Sequence, residues 1–103
     1  MKKINFNSDE LRSYVFDGDT MLYRLEGELF AAEDAEAEAE RFYDEVETDD
    51  AWNALTAATN ERKRIQHAMD DLRKLTEALY SAAVALDNLS AENEQVLKDM
   101  GLL

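Results

Sequence analysis

The side chains best suited to chemistry in this chain are one histidine, His67, and a run of carboxylates, Glu33, Asp34, Glu36, Glu38 and Glu40. Histidine and carboxylates at helical spacing can hold a metal ion, as the Glu-x-x-His pairs of di-iron bundles do. Here the seat three residues before His67 is Arg64, a cation, so that pair is missing. Carboxylates at alternating positions on a helix spread round its circumference instead of converging. They favour a solvated acidic face over a metal site. The sequence has no glycine-rich phosphate loop, nucleophile elbow or histidine-based triad. With no cysteine there is neither disulfide nor thiolate chemistry. The chain reads as non-catalytic, without cofactor or metal.

Composition narrows the partners. There are 24 acidic residues against 11 basic ones, a net charge of −13, which disfavours nucleic acid and anionic membranes. No apolar run is long enough to span a bilayer. The N-terminal stretch, with Lys2 and Lys3, has no apolar core of a secretory signal. The expectation is a protein secreted without a signal peptide of that kind, or a cytoplasmic one, whose partners are proteins.

At 103 residues one domain is expected, and no proline with only three glycines suits long helices. Ile4 and Phe6 alternate with polar residues in an extended entry, Ser8 reads as a helix N-cap, and Phe6 can staple the first turn. The first helix, about 8–47, carries Val15, Leu22, Leu29 and Tyr43 in one row, with Glu36 interrupting. Leu11, Gly18, Leu25, Ala32, Ala39 and Val46 form the other row. The second helix, about 52–100, alternates Ile65, Leu72, Leu79, Leu86 and Met100 with Ala68, Leu75, Ala82, Leu89 and Val96. Asn93 stands where asparagine can set register, and the end frays near Met100 and Gly101. The stripes slip by one residue between Thr48 and Ala51, which predicts a turn at about 48–51, with Thr48 or Asp49 capping the new helix. The fold class is therefore all-α, an antiparallel two-helix hairpin. A single long helix with a skipped repeat is the less favoured alternative. Helices of about 40 residues, each about 60 Å long, enclose little interior, so dimerisation into a four-helix bundle is expected. Leu22, Leu25, Leu29, Ile65, Leu72, Leu75, Leu79, Leu86 and Leu89 are the dimer or core residues.

Charge supports the fold-back. Residues 1–50 hold 16 acidic and 5 basic residues, net −11; residues 51–103 hold 8 and 6, net −2. Equal rise in both helices makes facing residues carry numbers summing to about 99. Arg12 then faces Asp87, Arg24 lies near Glu77, and Arg41 near Glu61. Arg62, Lys63 and Arg64 lie by Glu33, Glu36 and Glu38, and Arg73 and Lys74 by Glu26 and Glu28. The same pairs are open to two chains of an antiparallel dimer.

Two surface features remain. Phe16, Tyr23 and Phe30 recur every seven residues, separated from the Val15 row by Asp19, Glu26, Glu33 and Glu40. They either widen the core stripe or form a second, partner-binding surface. Tyr14, Met21 and Phe42, on the opposite flank, read as core, while Leu55 and Met69 flank the second stripe. Trp52, the only tryptophan, follows the polar run Thr48-Asp49-Asp50. It either covers the end of a bundle or is presented to a partner at the hairpin tip.

Length near 100, the entry Ile4-x-Phe6-x-Ser8-Asp9-Glu10-Leu11-Arg12, two long helices and the mid-chain turn motif Trp52, Asn53, Ala54 together resemble the WXG100, or ESAT-6-like, family of type VII secretion proteins. Ala54 replaces the family's glycine, and Trp52 lies later than is usual. The export signal Tyr-x-x-x-Asp/Glu is not met after the second helix, where Tyr80 is followed by Val84. Tyr43 with Glu47, and the looser Phe30 with Asp34, fit it only on the first helix. The resemblance implies a hairpin acting as a homodimer, or as a heterodimer with a similar helical protein or a larger secreted effector. Such a protein is a secretion substrate or an escort that travels with a signal-bearing partner. The alternative function is a cytosolic coiled-coil adaptor or phage-type structural protein; a DNA-mimic inhibitor is more remote.

The stripes predict that Leu72→Asp, by placing an unpaired charge in the core, costs on the order of 3 kcal/mol or more. Circular dichroism and sedimentation should both report the loss; unaltered signals would remove Leu72 from the core.

Overall fold

A computed structural model describes residues 7–101, apart from the side chains of residues 90, 92 and 97. Among the described residues two helices, α1 (Ser8–Val46) and α2 (Asp49–Asp99), are joined by two residues into an antiparallel hairpin. The expected extended entry through Ile4 and Phe6, with its staple, lies outside the described residues.

Each helix boundary has a local cause. Asn7, not Ser8, is the N-cap of α1: its Oδ1 accepts the Glu10 amide at 2.8 Å, and its carbonyl accepts the Leu11 amide at 3.0 Å. Asp9 and Glu10 lie in that first turn, at the positive end of the helix. At the other end Glu47 adopts φ +46° and donates its amide to the Tyr43 carbonyl at 2.8 Å. That single bond, from a left-handed residue back to the last turn, closes the helix. Thr48 then caps α2 by accepting the Ala51 amide on Oγ1 at 3.2 Å. The connection is thus Glu47 and Thr48 alone, shorter than the expected 48–51, and Asp49 already begins α2. A left-handed residue followed directly by a threonine cap reverses the chain without glycine or proline.

The packing clusters into two units. One, Thr20–Arg73, holds the turn. In it Ala32, Ile65 and Met69 are buried, and Leu22, Leu25 and Leu29 pack against them. Tyr43 meets Trp52 with ring centroids 5.3 Å apart and planes tilted by 57°. The other unit joins residues up to Asp19 with those from Lys74 onward. There Leu11 and Ala83 are fully buried, and Gly18 and Thr76 are buried. Arg12 pairs with Asp87 and lies 5.9 Å from the Tyr80 ring centroid.

The buried and half-buried seats of α1 step by three and four through Leu11, Val15, Gly18, Leu22, Leu25, Leu29, Ala32, Glu36, Ala39 and Tyr43, the two rows expected from the sequence. Val46, expected in the second row, is exposed. On α2 one expected row is buried or half-buried at Ile65, Leu72, Leu79 and Leu86, while Met100, expected in the same row, is exposed. The intrachain seam takes a different second row, Leu55, Arg62, Met69, Thr76 and Ala83, and leaves Leu75, Leu89 and Val96 exposed. The apolar stripe of α2 is three rows wide, and one facing helix covers two. Asn93 does not sit in the seam as a register residue. It is a break, with φ −129° and ψ 29°, and its side-chain amide donates to the Leu89 carbonyl at 3.3 Å. This places a side-chain donor where the helical backbone bond is disturbed. Gly101, at φ +78°, follows the end of α2.

A non-glycine residue in the left-handed region costs about 1–2 kcal/mol. Glu47→Gly removes that cost, and a carboxylate beside the negative end of α1. Against glycine's larger unfolded-state entropy, a net gain of about 0.5–1 kcal/mol is expected. Thermal unfolding should show a midpoint raised by a few degrees; a lowered one would mean the Glu47 side chain itself holds the turn.

Candidate functional site

Surface chemistry in this protein is divided between a polar layer in the seam and apolar faces outside it. The polar layer lies in the Thr20–Arg73 unit. Arg62 Nε donates to Glu36 Oε1 at 2.7 Å, and its Nη1 donates to Gln66 Oε1 at 2.8 Å. Both charged side chains are about four-fifths covered. Arg62 and the Thr59 hydroxyl hold the Glu36 carboxyl below the usual carboxylate range. Glu36, which interrupts the apolar row in the sequence, is thus matched by Arg62 from α2. In the other unit the Ser8 hydroxyl, then Arg12, hold Asp87 below its ordinary value. Both cross-helix pairs obey the expected register to within one residue. Other basic residues pair along their own helix: Arg64 with Glu61 at 2.6 Å and Arg73 with Asp70 at 3.3 Å.

Among the described residues no three histidine, aspartate or glutamate side chains gather as metal ligands, and no helix is long and apolar enough to cross a membrane. The groove beside Trp52, between Glu36, Glu40, Leu55, Thr59 and Lys63, is open to solvent and mixed in charge. It lacks the apolar enclosure of a small-molecule site.

Trp52, Asn53 and Ala54, expected as a turn motif, belong to the first turns of α2. Trp52 remains about half exposed while one face of its ring meets Tyr43. The suggested partner-binding residues are on the surface: Phe16, Tyr23 and Phe30 are 71%, 81% and 60% exposed. Met21 and Phe42, expected in the core, are exposed as well, and Tyr14 is half-buried, its hydroxyl donating to Glu10 at 3.2 Å. Burial and that bond push the Tyr14 phenol up. Of the core leucines, Leu22, Leu25, Leu29, Leu72, Leu79 and Leu86 are half-buried and Ile65 is buried, whereas Leu75 and Leu89 are exposed. Met69 is buried and Leu55 half-buried.

One surface contains residues that periodicity places in a core row, yet the hairpin leaves most of them exposed. Leu75, Ala78, Ala82, Ala85 and Leu89 follow one another by three and four residues, so they share a face of α2. All but half-buried Ala82 are exposed. Charge does not single it out either: nine consecutive residues, Ala78 to Leu86, carry none, and so do the ten of 51–60.

Compared with family models, curated proteins and solved structures, the chain matches none.

A carboxyl held low in the folded state contributes stability above its unfolded pKa and loses it as pH falls through the folded pKa. Wild type should therefore exceed Glu36→Gln in stability at neutral pH, and the gap should close once the pH has fallen below the depressed Glu36 value. Denaturant titrations at several pH values measure this; a gap that persists in acid would assign the effect to packing.

Proposed function

We propose that the chain is a non-catalytic protein–protein interaction module that works as a helical dimer. The reading rests on one observation: the hairpin leaves large apolar side chains uncovered, foremost Phe16, Tyr23 and Phe30. Exposed aromatic rows of this kind are the anchors of protein interfaces, and on a chain of net charge −13 their partner is a protein surface and not a nucleic acid. Among such modules, a WXG100-like secretion substrate, or an escort for a larger effector, accounts best for the paired long helices and the tryptophan in the first turn of α2.

In Phe16→Ser/Phe30→Ser helicity and thermal midpoint should stay close to wild type, because both rings are exposed, while co-purification of the partner expressed from a neighbouring gene is lost. Collapse of helicity would return the rings to the core. Retained partner binding would move the docking surface elsewhere. Appearance of the chain in culture medium only when a type VII ATPase is intact would support the secretion assignment; export without that ATPase would overturn it.

A further inference from the structure

We infer that the exposed face of α2 from Leu75 to Leu89 is a self-association surface, and that its occupant is the same face of a second copy running antiparallel. The inference rests on the reading of the chain as an interaction module and names one of its partners.

An isologous interface needs a patch complementary to itself under a two-fold rotation. This face meets that demand in its pattern. Leu75 and Leu89 lie seven residues either side of Ala82, with Ala78 four before it and Ala85 three after. With the two-fold axis at Ala82, each Leu75 meets the other copy's Leu89, Ala82 meets itself, and Ala78 falls one residue from the other copy's Ala85. Small side chains in the middle allow the helix axes to approach closely, and antiparallel packing opposes the helix dipoles. The Asn93 break limits the straight part of the face; from Leu75 to Leu89 it is about 21 Å long.

Charge selects the second copy as occupant. Residues 1–50 carry net −11 and residues 51–103 net −2. Pairing α2 with α2 brings together the less charged half, through one of its two long charge-free stretches, Ala78 to Leu86. Pairing through α1 would bring the strongly acidic halves together. The face is short compared with standard interfaces of about 800 Å² per partner, so the dimer is reversible, with Kd on the order of micromolar.

The chain has no cysteine, so one introduced thiol reports on its own. The test is sedimentation equilibrium of the full chain, with oxidative crosslinking of Ala82→Cys, Leu89→Cys and Tyr23→Cys. Wild type should be in monomer–dimer equilibrium, and Leu89→Glu, at an exposed site, should weaken it at least tenfold with helicity unaltered. Ala82→Cys should crosslink readily, since the axis brings its two copies within disulfide reach; Leu89→Cys and Tyr23→Cys should not. Crosslinking through Leu89→Cys would overturn the antiparallel arrangement. A dimer indifferent to Leu89→Glu would overturn the face. A wild type that stays monomeric at high micromolar concentration would overturn self-association, and if it still binds a neighbouring gene product the interaction-module reading stands without it. Intact self-association with no protein partner would leave this surface in place and remove that wider reading.

Discussion

Two helices share one seam, and a seam covers about two rows of side chains on each. Most of this molecule follows from that limit. Apolar residues occupy more than two rows on both helices, so the hairpin buries some and leaves others in water. Among the described residues the buried apolar set is small, Leu11, Ala32, Ala51, Ile65, Met69 and Ala83, and four of these six are alanine or a single methionine. Polar side chains occupy seam seats beside them: Glu36 and Arg62 half-buried, Thr76 buried.

The choice of which rows to cover is tied to the polar layer. Glu36 sits in the apolar row of α1, where an uncompensated carboxylate is costly. Covering the α2 row that contains Arg62, Met69, Thr76 and Ala83 sets Arg62 opposite that carboxylate, with Thr59 and Gln66 completing the hydrogen bonds. Covering the Leu75 and Leu89 row instead would bury more hydrocarbon but leave Glu36 without this partner. An ion pair in such a seat fixes register and facing side more than it adds stability. The two-residue turn cooperates, because the left-handed Glu47 and the Thr48 cap fix how the chain enters α2.

The uncovered rows are the functional capital of the fold. Aromatic residues line one side of α1, and leucines and alanines line one face of α2. The acidic excess of the first half of the chain opposes pairing that half with a second copy of itself. The hairpin thus leaves two different apolar surfaces exposed, one aromatic and one aliphatic.

The helical content is legible in the sequence, and the fold-back and its register are favoured there over a single long helix. Threefold and fourfold spacing of apolar residues, the absence of proline and the phase slip near Thr48 are local signals, and the pairs Arg12–Asp87 and Glu36–Arg62 follow from equal helical rise. The exposed positions of Phe16, Tyr23 and Phe30 were legible as one of two options, because periodicity places a row on a helix without saying whether another helix covers it. Packing of the two helices, not local pattern, turns Met69, Thr76 and Ala83 inward and Leu75 and Leu89 out, and the folded chain shows Asn7 and not Ser8 capping α1, Trp52 meeting Tyr43 from inside α2, and Asn93 breaking that helix. Hydrophobicity ranks the rows of a single helix. Which rows are covered depends on where the facing helix puts its one unavoidable charge, and that is a property of the pair.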